Sequence, residues 1–167
     1  MQRVFRILVV GIITASVLAV IVLSTRRAPN DIRIAIILPL QLPIGQQMVN
    51  GAQLALDESE RWRDRVEIVA FDTLAEGRER AAEINLASMR AAADDPAFVA
   101  IIGASSSNYA EASIPITNEG GLALISPLAT APHLTRPGYR AGAPGVYYPT
   151  GQRNFFRTIP TDDLQGQ

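Results

Sequence analysis

Apolar residues along the chain gather in short unbroken runs, separated by longer stretches where they return every third or fourth position. Ile32-Arg33-Ile34-Ala35-Ile36-Ile37-Leu38 is the first clear run of the body. It is rich in β-branched residues and nearly continuous in apolarity, as a strand covered on both faces should be. Pro39 ends it, and Gln41, Pro43 and Gly45 mark a loop. From Gln46 to about Trp62, Met48, Ala52, Ala55 and Leu56 recur at helical spacing, with Asp57, Glu58, Glu60, Arg61 and Arg63 at the wet end. Gly51 weakens such a helix, and its expected use is close packing on a sheet. Val66–Phe71 reads as a second strand, ending in a turn at Asp72-Thr73. Glu76 to about Ala93 reads as an alanine-rich helix, with Glu79 and Glu83 placed to pair with nearby arginines, and Asp94-Asp95-Pro96 stops it.

The same alternation continues. Phe98–Gly103 is a third strand, Ser107 to about Asn118 a third helix in which Pro115 implies a kink or a late start, and Leu122–Ile125 a fourth strand. Strands alternating with helices at this spacing predict βαβ units with right-handed crossovers, hence an α/β, parallel-sheet, three-layer Rossmann-like lobe. His133 to Arg153 differs in character: it is rich in glycine and proline, carries Tyr139, Tyr147 and Tyr148, and has no periodicity. It reads as a long loop or lid, its tyrosines either lining a pocket or pinning the loop. Asn154–Ile159 is a last strand-like run, and Asp162-Asp163 opens another helix.

The N-terminus changes the picture. Arg3 and Arg6 precede an apolar run from Ile7 to Leu23, followed by Ser24-Thr25-Arg26-Arg27. A basic start and a long apolar centre mark an export signal, at the lower edge of what spans a bilayer. No clean small-x-small cleavage site follows, which favours an uncleaved signal anchor over a cleaved peptide. Residues 1–27 are therefore expected to be a transmembrane or signal helix, with an extracytoplasmic body outside the cytoplasmic membrane. The remainder holds 11 of the chain's 15 basic residues against all 16 acids, an acidic balance that argues against nucleic acid as a partner. The chain has no cysteine, which excludes disulfides, thiolate zinc sites, thiol catalysis and a lipid-carrying N-terminal cysteine.

Two hydroxyl-rich turns leave the apolar strands. One is Gly103-Ala104-Ser105-Ser106-Ser107, the other Ile125-Ser126-Pro127-Leu128-Ala129-Thr130-Ala131-Pro132. In open parallel sheets ligands sit just beyond the carboxyl ends of the strands, so the two turns are placed to meet over one small polar ligand. The first also serves as a helix N-cap, for which serine is among the best residues. It half resembles the G-x-S-x-G nucleophile elbow, but its last position is serine and His133 is the only histidine, so no enzyme activity is expected. Asp72 reads as a turn former, and Asp94-Asp95 as a helix stop with too few oxygens for calcium. No cofactor or metal is expected.

The order of these pieces resembles the first lobe of the type I periplasmic binding proteins, in their leucine/isoleucine/valine-binding branch. The matching pieces are Ile32–Leu38, Asn50-Gly51-Ala52-Gln53-Leu54-Ala55, Ile101-Ile102-Gly103 with Ser105-Ser106-Ser107, Asn118-Glu119-Gly120, Ile125-Ser126-Pro127 with Ala129-Thr130-Ala131-Pro132, and Phe156-Arg157-Thr158 with Asp162 and Gln165-Gly166. The resemblance implies an extracytoplasmic solute-binding protein that captures an amino-acid-like small molecule for the membrane permease of an ABC-type importer. The alternative is a ligand-sensing ectodomain of a membrane-anchored receptor. It also implies site roles: the Ser106 hydroxyl to the ligand carboxylate, Thr130 to the same carboxylate through hydroxyl and N–H, and the Leu128 carbonyl to the ammonium. Ser107 and Ala129 complete the ligand-binding set. Helix N-termini with free N–H groups attract anions without a full positive charge, in keeping with this assignment. The chain departs from the pattern in a short loop from Pro39 to Gly45, in Ile44 where such proteins often place an aromatic residue, and in an apparent insertion from Ala141 to Arg153. On this reading residues 28–160 form lobe one and residues 161–167 begin a second lobe, so the chain alone holds half a cleft and binds weakly or undetectably.

Overall fold

In the computed structural model, which describes residues 32–166, five parallel strands stand in the order β2-β1-β3-β4-β5. The strands are β1 (Ile32–Leu38), β2 (Val66–Asp72), β3 (Phe98–Ile102), β4 (Ala123–Ser126) and β5 (Phe155–Arg157). The helices are α1 (Pro43–Asp57), α2 (Arg78–Asp94), α3 (Ser107–Glu119) and α4 (Asp162–Gln165), with short 3-10 turns at Pro132–Leu134 and Gly145–Tyr147. The register sets Ile34 beside Ile68, Ala35 beside Ile101, Ile101 beside Leu124, and Ile125 beside Phe156. The expected signal or membrane helix, residues 1–27, lies outside the described residues. Among the described residues no helix is long and apolar enough to cross a membrane.

From β1 the chain steps out to β2, then returns across β1 to β3 on its other side. Right-handed crossovers then send α1 to one face and α2 and α3 to the other. The packing follows this rule. Ala35, Ile37, Phe98, Ile101 and Leu124 bury against Met89 and Ala92 of α2 and Ala110 and Ile114 of α3 in one continuous core. The opposite face, with Ile34, Ile68 and Ile102, looks onto Ala52, Ala55 and Leu56 of α1 across an apolar groove of about 510 Å³. Burying one aliphatic side chain is worth roughly 1.5–3 kcal/mol, so the closed core beneath α2 and α3 dominates stability.

Several boundaries differ from expectation, each for a local reason. Pro43 and Gly45 belong to the first turn of α1, not to a loop. Proline lies at the start of the helix, where its missing N–H has no intrahelical partner to lose. A Cβ on Gly45 would stand 2.3 Å from the Pro39 carbonyl oxygen, so only glycine lets the turn close there. The helix stops at Asp57, short of Trp62. The chain then turns, with the Val66 N–H donating to the Trp62 carbonyl at 3.0 Å and the indole flanked by the Arg61 and Arg65 guanidiniums at 4.7 and 5.2 Å from the ring centroid. Gly51 does not pack on the sheet: nothing lies within 4 Å of where its Cβ would be. In α2, Glu83 pairs with Arg80 at 3.0 Å, whereas Glu79 has no ion pair among the described residues. Asp95 ends this helix by accepting from the Ala97 N–H at 2.9 Å, and it ties the end to β1 through Arg33 at 3.2 Å. Helix α3 starts at Ser107 and continues through Pro115, so the late start is not observed.

The long loop is pinned at many points. Tyr147 and Tyr148 are buried, Tyr148 Oη donates to the Leu134 carbonyl at 3.1 Å, and Tyr139 Oη donates to Asp163 at 2.7 Å. Asn118, at the far end of α3, engages both ends of its buried amide. Nδ2 donates to the Gln152 carbonyl at 2.7 Å and Asn154 Oδ1 at 3.0 Å, and Oδ1 accepts from the Thr150 N–H and hydroxyl at 3.0 and 2.8 Å.

The two glycines of α1 should respond oppositely to alanine. Gly51→Ala is expected to raise stability by about 0.5–1 kcal/mol through helix propensity alone. Gly45→Ala is expected to lower it, because the clash is with backbone. Urea midpoints of the two variants against the parent check both signs.

Candidate functional site

The strand order reverses between β1 and β3, and at such a switch point the loops leaving neighbouring strands diverge to open a crevice. Gly103 leaves β3 there, so close to β1 that a Cβ would lie 2.8 Å from the Ile37 carbonyl oxygen. The chain then enters α3 through Ser106, which is extended and whose Oγ accepts from the Tyr109 N–H at 3.3 Å. The cap engages a lone pair of that hydroxyl and leaves its proton free to donate.

The second turn is built around Ser126, at the end of β4 and fully buried. Its Oγ donates to the Ala104 carbonyl at 2.9 Å and accepts from the N–H groups of Ala129 at 2.9 Å and Leu128 at 3.3 Å. One hydroxyl thus joins the turn after β3 to the turn after β4. Ser107 adds a second tie, accepting from the Ala131 N–H at 3.1 Å. From below, Arg157 Nη1 donates to the carbonyls of Ala129 and Ala131 at 2.9 and 3.1 Å, and Nη2 to Thr135 Oγ1 at 3.1 Å. Burial lowers the pKa of this guanidinium from its ordinary value, but it keeps its charge. The Thr130 carbonyl accepts from the Asp162 N–H at 3.0 Å.

This accounting sorts the five expected ligand-binding residues. Ala129 is fully buried, with N–H and carbonyl both engaged internally. Ser107 holds Ala131. Among the described residues, the Leu128 carbonyl and the Thr130 N–H and hydroxyl enter no hydrogen bond, and Ser106 keeps its donor proton. One carbonyl acceptor, one N–H donor and two hydroxyls are the kinds of group that complement a small zwitterion. Since Ser107 and Ala131 touch, Ser106 and Thr130, each one residue earlier in its own segment, are held near one another.

Two residues that matter here were missed by sequence reasoning. Ser126 was read only as one member of the hydroxyl-rich turn and of a matching segment, with no role of its own, although a hydroxyl buried among aliphatic neighbours must find polar partners. Arg157 was read only as part of a strand-like run and of a matching segment, although an arginine at the end of a buried strand needs acceptors nearby.

Beside the first turn alone, between the starts of α2 and α3, a cavity of about 590 Å³ is lined by Arg78, Glu79, Ser105, Ser106, Asn108 and Tyr109. Ile44 and Leu42, at the head of α1, are 44% and 42% exposed. Asp72 organises the loop before them, accepting from the Leu40 N–H at 2.9 Å, the Leu74 N–H at 2.9 Å and Gln41 Nε2 at 2.8 Å. Burial raises the pKa of this carboxyl, but the hydrogen bonds from Leu74, Gln41 and Leu40 outweigh it, and the net value falls below the usual aspartate range. His133 Nε2 meets Glu111 Oε2 at 3.3 Å. No group of three or more metal-ligating side chains is assembled among the described residues.

Replacing Ser126 by alanine strands the Ala104 carbonyl and the Ala129 N–H in the interior, with an expected loss of about 1–3 kcal/mol by chemical denaturation. Asp72 has a depressed folded-state pKa, so its stabilising contribution is present above the unfolded value of about 3.9 and is lost as pH falls through the lower folded value. The difference in urea midpoint between the parent and Asp72→Asn should therefore be constant near neutrality and close in acid.

No family model matches the chain. It is 30% identical over 159 residues to the Leu/Ile/Val-binding protein BraC3 of Rhizobium johnstonii, an alignment that takes in 89% of this chain and 38% of that protein. The fold matches an ABC transporter substrate-binding protein from Desulfitobacterium hafniense, solved in complex with Leu, with a TM-score of 0.60, 27% identity, and coverage of 80% of this chain and 35% of that one. It matches the leucine binding protein LivK from Thermotoga maritima with a TM-score of 0.58, 25% identity, and coverage of 81% and 34%. The chain spans little more than a third of the length of these relatives. In sequence and in fold, over that third, the chain is similar to leucine/isoleucine/valine-binding substrate-binding proteins of ABC transporters.

Proposed function

We propose that the described body is the first lobe of an extracytoplasmic solute-binding protein that captures an amino-acid-like ligand for the permease of an ABC-type importer. The single observation that carries this reading is the set of unengaged polar groups at the switch point. The Leu128 carbonyl, the Thr130 N–H and hydroxyl, and the Ser106 hydroxyl proton are left over after the two turns have satisfied their own needs. In this scheme the ligand carboxylate lies at the N-terminus of α3 between Ser106 and Thr130, favoured by the helix dipole, and the ammonium donates to Leu128. Ser107, Ala129, Ser126 and Arg157 hold these contacts in place. The related proteins are described by their leucine, isoleucine and valine binding, which supports leucine as the first ligand to test. Ile44 and Leu42 offer an aliphatic surface at the same end of the sheet. Capture proceeds by hinge closure of a second lobe, which supplies the other wall of the cleft and the burial that gives affinity. The role is binding without catalysis; His133 serves as the partner of Glu111.

Titration of the full chain with L-leucine, followed by amide NMR, tests the site and the two-walled mechanism together. Millimolar leucine, corresponding to about −4 kcal/mol, is expected to shift the amides of Ser106 and Thr130, and Thr130→Ala to abolish the shift at Ser106. Absence of any shift at these amides would discard the site. Micromolar affinity in this chain would discard the need for a second wall.

A further inference from the structure

The Thr130 arm runs directly into the long loop, and that loop is gripped by a residue of the helix that begins at the ligand-facing serines. Glu111 stands one helical turn beyond Ser107 on α3. Its Oε2 receives His133 Nε2 at 3.3 Å, and its Oε1 receives Arg140 Nη1. Arg140 Nη1 also donates to Tyr147 Oη at 3.3 Å, and the His133 and Tyr147 rings lie with centroids 6.1 Å apart. One carboxylate therefore holds the loop at two points, just past Pro132 and again at Arg140. An ionised carboxylate only accepts, so the His133 ring presents Nε2–H to it. Burial raises the pKa of Glu111, but the hydrogen bonds from Arg140 and His133 outweigh it and keep the group ionised at neutral pH. His133 is 14% exposed at its side chain and Glu111 32%, so the contact is partly shielded from water.

The geometry matters because only Ala131 and Pro132 separate Thr130 from His133. Ala131 donates to Ser107 and Pro132 has a fixed φ, leaving little slack. Holding His133 against Glu111 therefore restricts where Thr130 lies relative to Ser106, both of which stand on or beside the same helix. We propose that Glu111 is a positioning residue of the ligand site, a latch that fixes the Thr130 arm against the start of α3 through His133 and Arg140. This goes beyond the ligand contacts and rests on the reading of Ser106 and Thr130 as ligand groups.

The test is amide hydrogen exchange on the full chain, because it reads the arm without needing ligand. In Glu111→Ala the Ala131 amide is expected to exchange about tenfold faster, the size of one lost charge-assisted contact, while the β1 and β3 ladder amides keep their protection. Glu111→Gln, which still accepts a hydrogen bond, should restore part of it. Arg140→Ala removes one arm of the latch at a half-exposed side chain and gives a second route if Glu111→Ala folds poorly; it should loosen Ala131 in the same direction. Unchanged exchange at Ala131, or a loss shared equally by the ladders, overturns the latch. Leucine titration of the same samples separates the two ideas. If leucine shifts Thr130 equally in parent and Glu111→Ala, the latch fails while the site stands. If leucine shifts nothing in the parent, the site reading fails and the positioning role fails with it.

Discussion

The Ser126 hydroxyl is the point on which the strand-end turns depend. It lies at the end of β4, with no exposure to water, and it bonds at once to the carbonyl of Ala104 and to the N–H groups of Leu128 and Ala129. A buried polar group of this kind is costly unless satisfied, and satisfying it dictates where both turns must go. Once they are joined, Ser107 can reach Ala131 and Arg157 can reach the carbonyls on the underside of the arm. What is left facing outward is then set by subtraction. The unengaged groups stand out because the remaining polar atoms of the segment are already occupied.

Sheet order supplies the setting. Crossing back over β1 places the ends of β1 and β3 side by side where their following segments part, and Gly103 permits that approach. Among the described residues the same order leaves α1 alone on its face, over a groove, while α2 and α3 close the main core on the other. The two turns therefore stand on the well-packed side of the molecule, the first of them at the N-terminus of α3. A rigid support under a few outward polar groups is what a selective small-molecule contact requires.

Much of this was legible in the sequence. The runs Ile32–Leu38, Val66–Phe71 and Phe98–Gly103 announced strands because burial on both faces demands continuous apolarity, and that demand leaves a mark on nearly every residue. Asp72 was recognisable as a turn former because its role is local, with Leu74 among its partners. Pro43 and Gly45 were misleading because proline and glycine punctuate loops and helix starts alike, and only the approach of Pro39 decides between them. Gly51 was misleading for the opposite reason, since a glycine in a helix with open space around it carries no packing signal at all. Within the site, Ser106 and Thr130 were visible through a family pattern. Ser126 and Arg157 act through partners 22 and 28 residues away, a relation that no periodicity along the chain records.

The half-buried guanidinium of Arg157 has a consequence for how a ligand arrives. Its charge points into backbone carbonyls and is partly shut off from water, so the arm above it is polarised at short range. Helix dipoles likewise fade within about a turn of the helix end. Groups of this kind exert little pull at a distance, and a zwitterion, having no net charge, responds to them only on contact. Contacts of such short range are little weakened by salt, and they hold as well in brine as in dilute solution.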